Sequence, residues 1–90
     1  MAVKKMDLDL LLEYQQQFIE HVEELKLFSC KMTRNIGTAG SLLQDDVSKS
    51  YIQQIKDIAD EIKNMSIYAE ETMKAHKKNT KDEIDKFKNL

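Results

Sequence analysis

The chain has no proline and no tryptophan, and among its 90 residues there are only two glycines, one cysteine and one arginine. Each scarcity excludes something. Without proline nothing forces a break in a long helix, and Gly37 and Gly40 leave one obvious place for the backbone to reverse. A lone Cys30 can form neither an intrachain disulfide nor a multi-cysteine zinc site. A single Arg34 and a net charge of -2 argue against nucleic acid as the main partner, because phosphate binding needs clustered positive charge. No apolar run approaches the roughly 20 residues of a membrane span, so no stable membrane insertion is expected. Leu10-Leu11-Leu12, set among acids, is too short for the core of a secretory signal. The expected location is the cytoplasm, or export with a partner by a route that cleaves no signal peptide.

What is present is helical periodicity. Hydrophobic residues make up 41% and charged residues 33% of the chain, the balance of one small, folded, helix-rich domain. Leu11, Tyr14, Phe18, Val22, Leu25, Phe28, Met32 and Ile36 recur at three- and four-residue steps, which is one face of a helix over about residues 8–36. Asp7 or Asp9 suits its start, Lys31 and Arg34 its last turn, and Gly37 the left-handed residue beyond it. Ser41-Leu42-Leu43-Gln44 has the form of a capping box, with Asp45 and Asp46 in the turn that follows. A second seam of Tyr51, Ile55, Ile58, Ile62, Met65, Ala69, Met73 and His76 then predicts a helix over about 42–88.

These features predict an all-α, antiparallel two-helix hairpin, extended, with a turn at 37–41 built on Gly37, Gly40, Ser41 and Gln44. Folding there sets Phe28 opposite Tyr51, Leu25 opposite Ile55, Phe18 opposite Ile62, Tyr14 opposite Met65 and Leu11 opposite Ala69. The expected hairpin seam is thus Leu11, Tyr14, Phe18, Leu25, Phe28 and Met32 against Tyr51, Ile55, Ile58, Ile62 and Met65. Residues from about 77 overhang as a weakly packed tail with six lysines in 74–90, and Thr80-Lys81-Asp82-Glu83 offers a second capping box where helix 2 could restart. The lysines suit a solvated helix C-terminus, with contact to an anionic membrane surface as the minor alternative.

No catalytic constellation is apparent. In the expected register His21 and His76 lie roughly 20 Å or more apart along the bundle, too far to share a metal. No glutamate stands three residues before either histidine, as a di-iron bundle requires. Glu20, Glu23, Glu24, Asp57, Asp60 and Glu61 fall on outward faces, where nothing would raise a carboxyl pKa for proton transfer. No metal and no cofactor are expected, and the chain reads as a non-enzyme.

One feature exceeds what a hairpin needs. Leu8, Leu12 and Ile19 form a flank on helix 1 outside its main stripe, and Ile67 and Tyr68 point away from the stripe of helix 2. These five residues are the expected partner-binding interface, because contiguous exposed apolar groups mark interaction sites. The partner class expected is another helical protein.

A proline-free helical hairpin of this length with a short central turn resembles the WXG, or ESAT-like, superfamily of type VII secretion. Leu43-Gln44-Asp45 stands where that family has Trp-x-Gly, and Tyr68 is followed four residues later by Thr72 instead of the acid of the family's export signal. In lacking both motifs the chain is most similar to the small α-helical partner proteins of LXG toxins. That resemblance implies a bacterial, chaperone-like targeting factor. It would bind the long helical domain of a toxin, or a sister hairpin, and leave the export signal to the partner. The alternative is a self-associating four-helix-bundle adaptor unrelated to secretion, a homo-oligomer.

Overall fold

In a computed structural model describing residues 4–88, the chain is two helices, α1 (Lys5–Leu42) and α2 (Asp46–Lys88). They fold back on each other as an antiparallel hairpin measuring 68 × 17 × 16 Å. No strand occurs among the described residues.

The connection is not at the glycines. α1 runs through Gly37, Gly40 and Ser41 to Leu42, and no glycine has positive φ. The three-residue link is Leu43-Gln44-Asp45. Its chemistry explains the displacement. Asp45 caps α2, accepting at Oδ1 a 2.8 Å bond from the Ser48 amide. The bond from Ser48 holds the Asp45 carboxyl below its ordinary pKa. Gln44 donates through Nε2 to the carbonyls of Gly40 and Ser41, closing the end of α1. Ser41 donates to the Thr38 carbonyl at 2.7 Å and so serves the helix interior instead of a cap. Of two candidate N-caps four residues apart, the chain uses the later one, and α1 gains another turn and a half of backbone hydrogen bonds. Helical glycine costs about 1 kcal/mol each, a penalty this gain outweighs.

Moving the turn changes every pairing across the hairpin. Ser29 donates from Oγ to the Ala59 carbonyl at 2.6 Å, Lys26 reaches Glu70, and Lys77 donates to Gln16 Oε1. Relative to the register that a turn at 37–41 implies, α2 has slid by roughly nine residues. The seam that results follows heptads. On α1 it consists of Leu8, Gln15, Val22, Ser29 and Ile36 together with Leu12, Ile19, Lys26 and Thr33, all buried or half-buried. On α2 it is Ile52, Ala59, Ser66, Met73, Thr80 and Phe87, joined by Glu70, Lys77 and Ile84 toward the open end.

This seam is narrow, and its buried positions mix Gln15, Ser29, Ser66, Glu70 and Thr80 with apolar side chains. Ser29 and Ala59 are fully buried, and the only buried hydrophobic residues described are Ile19, Val22, Ala59 and Ile84. Small residues let the helices approach closely. Their hydroxyls are satisfied by carbonyls: Ser66 by Ile62, Thr33 by Ser29, Thr80 by His76. Gln15 Oε1 is buried there without a partner.

The expected tail is also revised. α2 is unbroken to Lys88, with Thr80 and Ile84 buried and Phe87 half-buried. Lys5, Asp9 and Leu12 share a groove with Lys81, Ile84, Asp85 and Lys88, so this end packs on α1 instead of overhanging it. Residues 6–25 hold six acids and no lysine or arginine, and 74–88 hold six lysines among Asp82, Glu83 and Asp85. Of these lysines Lys77 reaches Gln16 of α1, while Lys74, Lys86 and Lys88 pair with Glu70, Glu83 and Asp85 of their own helix.

Candidate docking face

The residue preceding each seam residue lies about 100° round its helix. In an antiparallel pair these preceding positions swing to the same side of the hairpin. On α1 they are Leu11, Tyr14, Phe18, His21 and Phe28, with Leu25 before Lys26; on α2 they are Tyr51, Ile58 and Met65, with Ile55 and Ile62 one turn away. The two stripes meet in a groove of about 330 Å³ lined by Phe18, Val22, Leu25, Ile62, Met65, Ser66 and Ala69.

Burial confirms the direction. Tyr14 is 60% exposed, Phe28 55%, Tyr51 62% and Met65 71%. Leu11, Phe18, Leu25, Ile55 and Ile58 are exposed as well, while Met32 and Ile62 are half-buried. The stripe expected to form the hairpin core is therefore the outer face. Conversely, of the five residues expected to meet a partner, Ile19 is only 3% exposed in the seam, and Leu8 and Leu12 are half-buried on α2's side of α1. Ile67 is half-buried beside Ser66, and Tyr68 alone is freely exposed. The burial of Leu8, Leu12 and Ile19 thus comes from α2 and requires no other chain.

The reason is that each helix carries two heptad stripes one residue apart. The outer one has the larger side chains, so hydrophobicity alone selects it as core. The inner one mixes aliphatic residues such as Ile19, Val22 and Ile84 with serines, threonines and alanine, whose value lies in close approach. The cue in the sequence that pointed the other way was Asp45 with Ser48, a capping pair that fixes the turn and hence the register.

Weighting side-chain areas of roughly 150–250 Å² by these exposures gives an apolar face on the order of 900 Å², running about 40 Å along the hairpin. The largest such patch on a typical monomer is about 300–600 Å². From Leu11 to Met32 and from Tyr51 to Thr72 the face carries no lysine, arginine, aspartate or glutamate. The residues following the seam, on the opposite side, include Asp9, Glu13, Glu20, Glu23, Asp60, Glu71, Lys74 and Lys81. The hairpin is two-sided, apolar below and charged above.

At the edge of the seam Glu70 accepts from Lys74 at 2.8 Å and from Lys26 at 3.3 Å. Lys74 first and Lys26 second hold the Glu70 carboxyl below its ordinary pKa. Among the described residues no group of three or more histidines, cysteines or acids is placed to hold a metal. His21 stands 3.9 Å from Glu24 with both side chains in solvent, and Cys30 is half-buried on the other side of α1. No helix of the described residues is long and apolar enough to cross a membrane.

Comparison with protein-family models, with curated proteins and with solved structures finds no match for this chain. Its class is therefore the one its own fold defines: an all-α helical hairpin with one apolar face.

Proposed function

We propose that the chain is a non-catalytic helical binding protein that docks a second pair of helices on its apolar face. The observation that carries this is the uncharged face of about 900 Å² shared by both helices, comparable to the roughly 800 Å² each partner contributes to a standard interface. Geometry favours two incoming helices over one. Each helix has its seam and its outer stripe about 100° apart, close to the 90° between neighbours at the corner of a square four-helix bundle and far from the 60° of a three-helix one. Two further helices complete the square, and each buries one stripe.

The partner class we propose is the helical N-terminal domain of an LXG-type toxin of type VII secretion, or a sister WXG-like hairpin, with this chain acting as its targeting factor. Support comes from the resemblance in architecture and from one local detail. Leu43-Gln44-Asp45, which stands in place of Trp-x-Gly, is the three-residue connection itself. The alternative of a self-associating adaptor uses the same face, and the absence of charge on it favours that pairing too, since a copy facing a copy meets no repulsion.

Co-expression with the helical domain of an LXG-type toxin tests the proposal. Wild type should elute with it as one complex. Phe18→Ser with Met65→Ser should lose the complex while the isolated chain stays helical, because buried apolar anchors dominate interface energy. A double variant that binds as tightly as wild type would overturn the assignment of this face.

A further inference from the structure

The outer stripe of α2 is large at every step from Tyr51 through Ile55, Ile58 and Ile62 to Met65, and then drops to Ala69. The groove of about 330 Å³ between the helices lies at that gap. The buried Val22 and Ser66 make its floor, and Phe18, Leu25, Ile62 and Met65 stand around Ala69 as its walls. No free polar group faces an occupant. The one hydroxyl, Ser66, donates to the Ile62 carbonyl at 2.7 Å, and Glu70, next to Ala69, is engaged by Lys26 and Lys74. The grooves at the open end, by contrast, are lined by Asp9, Lys81 and other charged groups.

Resting on the reading of this face as a docking surface, we infer that this groove is its specificity pocket, taking two large apolar side chains, one helical turn apart, from a single incoming helix. Volume, length and position agree on this occupant. A dry apolar cavity of roughly 150 Å³ holds one benzene ring, so about 330 Å³ has room for two groups of that size. Phe18 and Leu25 are seven residues apart, as are Ile62 and Ala69, which makes the groove about 10 Å, or two turns, long. Side chains three or four residues apart on a helix, about 5–6 Å between Cβ atoms, fit within that length. The groove also sits midway along the α1 face that runs from Leu11 to Met32, where the anchors of an interface concentrate.

Chemistry narrows the occupant further. A polar or charged side chain entering the groove would give up its hydrogen bonds to water and find none in return. A small one would leave the walls without contact atoms on one side. Met65, unbranched and 71% exposed, can adapt the rim to leucine, methionine or phenylalanine. Ala69 thus sets the size that is accepted, because any larger residue there would fill the groove from within.

Methyl-resolved NMR of the full chain, titrated with short capped alanine–glutamine helices, reads the groove without its natural partner. A peptide with two leucines four residues apart should shift the methyl signals of Val22, Leu25, Ile62, Met65 and Ala69. It should bind at least tenfold tighter than a peptide whose leucines are two residues apart and point to different sides. Ala69→Leu should weaken the first peptide at least tenfold with helicity unchanged. Phe18→Ala, which removes an exposed wall and spares the seam, should weaken it comparably. Equal binding of the two peptides, shifts spread over Leu11, Ile55 and Ile58, or no binding at millimolar peptide would overturn the pocket. A co-expressed toxin domain that is retained by Ala69→Leu but lost by Phe18→Ser with Met65→Ser would also overturn the pocket and leave the docking face standing, whereas retention by both variants would overturn the face itself.

Discussion

Substituting Ala59→Leu separates the two possible cores of this hairpin. Ala59 is fully buried, and its carbonyl accepts a 2.6 Å bond from the equally buried Ser29 hydroxyl of α1. An isobutyl group has no room there without pushing the helices apart. Overpacking of this kind costs about 1–3 kcal/mol, and losing the Ser29 bond adds about 0.5–1.5 kcal/mol, more if the hydroxyl is left unsatisfied. A total of roughly 2–4 kcal/mol follows. Against the marginal stability of a hairpin with four buried hydrophobic residues among those described, that is enough to unfold much of the population. The control is its neighbour, Ile58→Ala, which trims a residue 52% exposed and should cost far less in the monomer. Urea melts followed by circular dichroism at 222 nm, at a concentration where sedimentation shows one species, give both numbers. If the large stripe were the core, Ile58→Ala would be the damaging change and Ala59→Leu nearly silent. That ordering would refute the seam described above.

Two further expectations concern the turn and pH. Gly37→Ala should stabilise by about 0.5–1 kcal/mol, because Gly37 is helical and an added methyl meets nothing within 4 Å; Asp45→Ala should lower Tm, and Ser41→Ala should leave it nearly unchanged. Destabilisation by Gly37→Ala in thermal melts would put the turn back at the glycines. Glu70 has a folded pKa depressed below its ordinary 4.5, so its contribution is present above that value and lost as pH falls through the depressed one. Glu70→Gln should therefore melt below wild type at pH 7 and together with it near pH 2, and a difference that persists in acid would deny the role of Lys74 and Lys26.

Helix content, topology and the two-sided character of the hairpin are legible in the sequence, because proline-free 3.6-residue periodicity is a local property that survives any register. Which stripe faces inward is not local. It depends on where the chain turns, and Gly37 and the Ser41–Gln44 box are as acceptable a turn as Asp45–Ser48 when each is weighed alone. The shift of four or five residues at the turn doubles on crossing to the other strand of the hairpin, and that is enough to exchange Phe18 for Ile19 and Met65 for Ser66. The doublets Leu11-Leu12 and Phe18-Ile19 recorded the presence of two stripes but carried no sign of which was inner. So the docking face is found in the residues first assigned to the core, and the core in those assigned to the partner.

The distribution of side chains between the two stripes has its own logic. A seam built from Ser29, Ala59, Ser66 and Thr80, with hydroxyls returned to backbone carbonyls, contributes little transfer free energy but tolerates little change of register, since only small residues fit where the helices are closest. The reach of Lys26 to Glu70 and of Lys77 to Gln16 across the hairpin reinforces the same alignment. Specification thus resides in the inner stripe. The large apolar groups of the outer stripe are left 38–71% exposed by the fold, and covering that area, at about 25 cal/mol per Å², is free energy that remains for a partner. Under the proposed function such a division makes physical sense: a hairpin that spent Tyr14, Phe18, Phe28 and Tyr51 on its own core would be more stable alone and would have nothing left with which to hold another pair of helices.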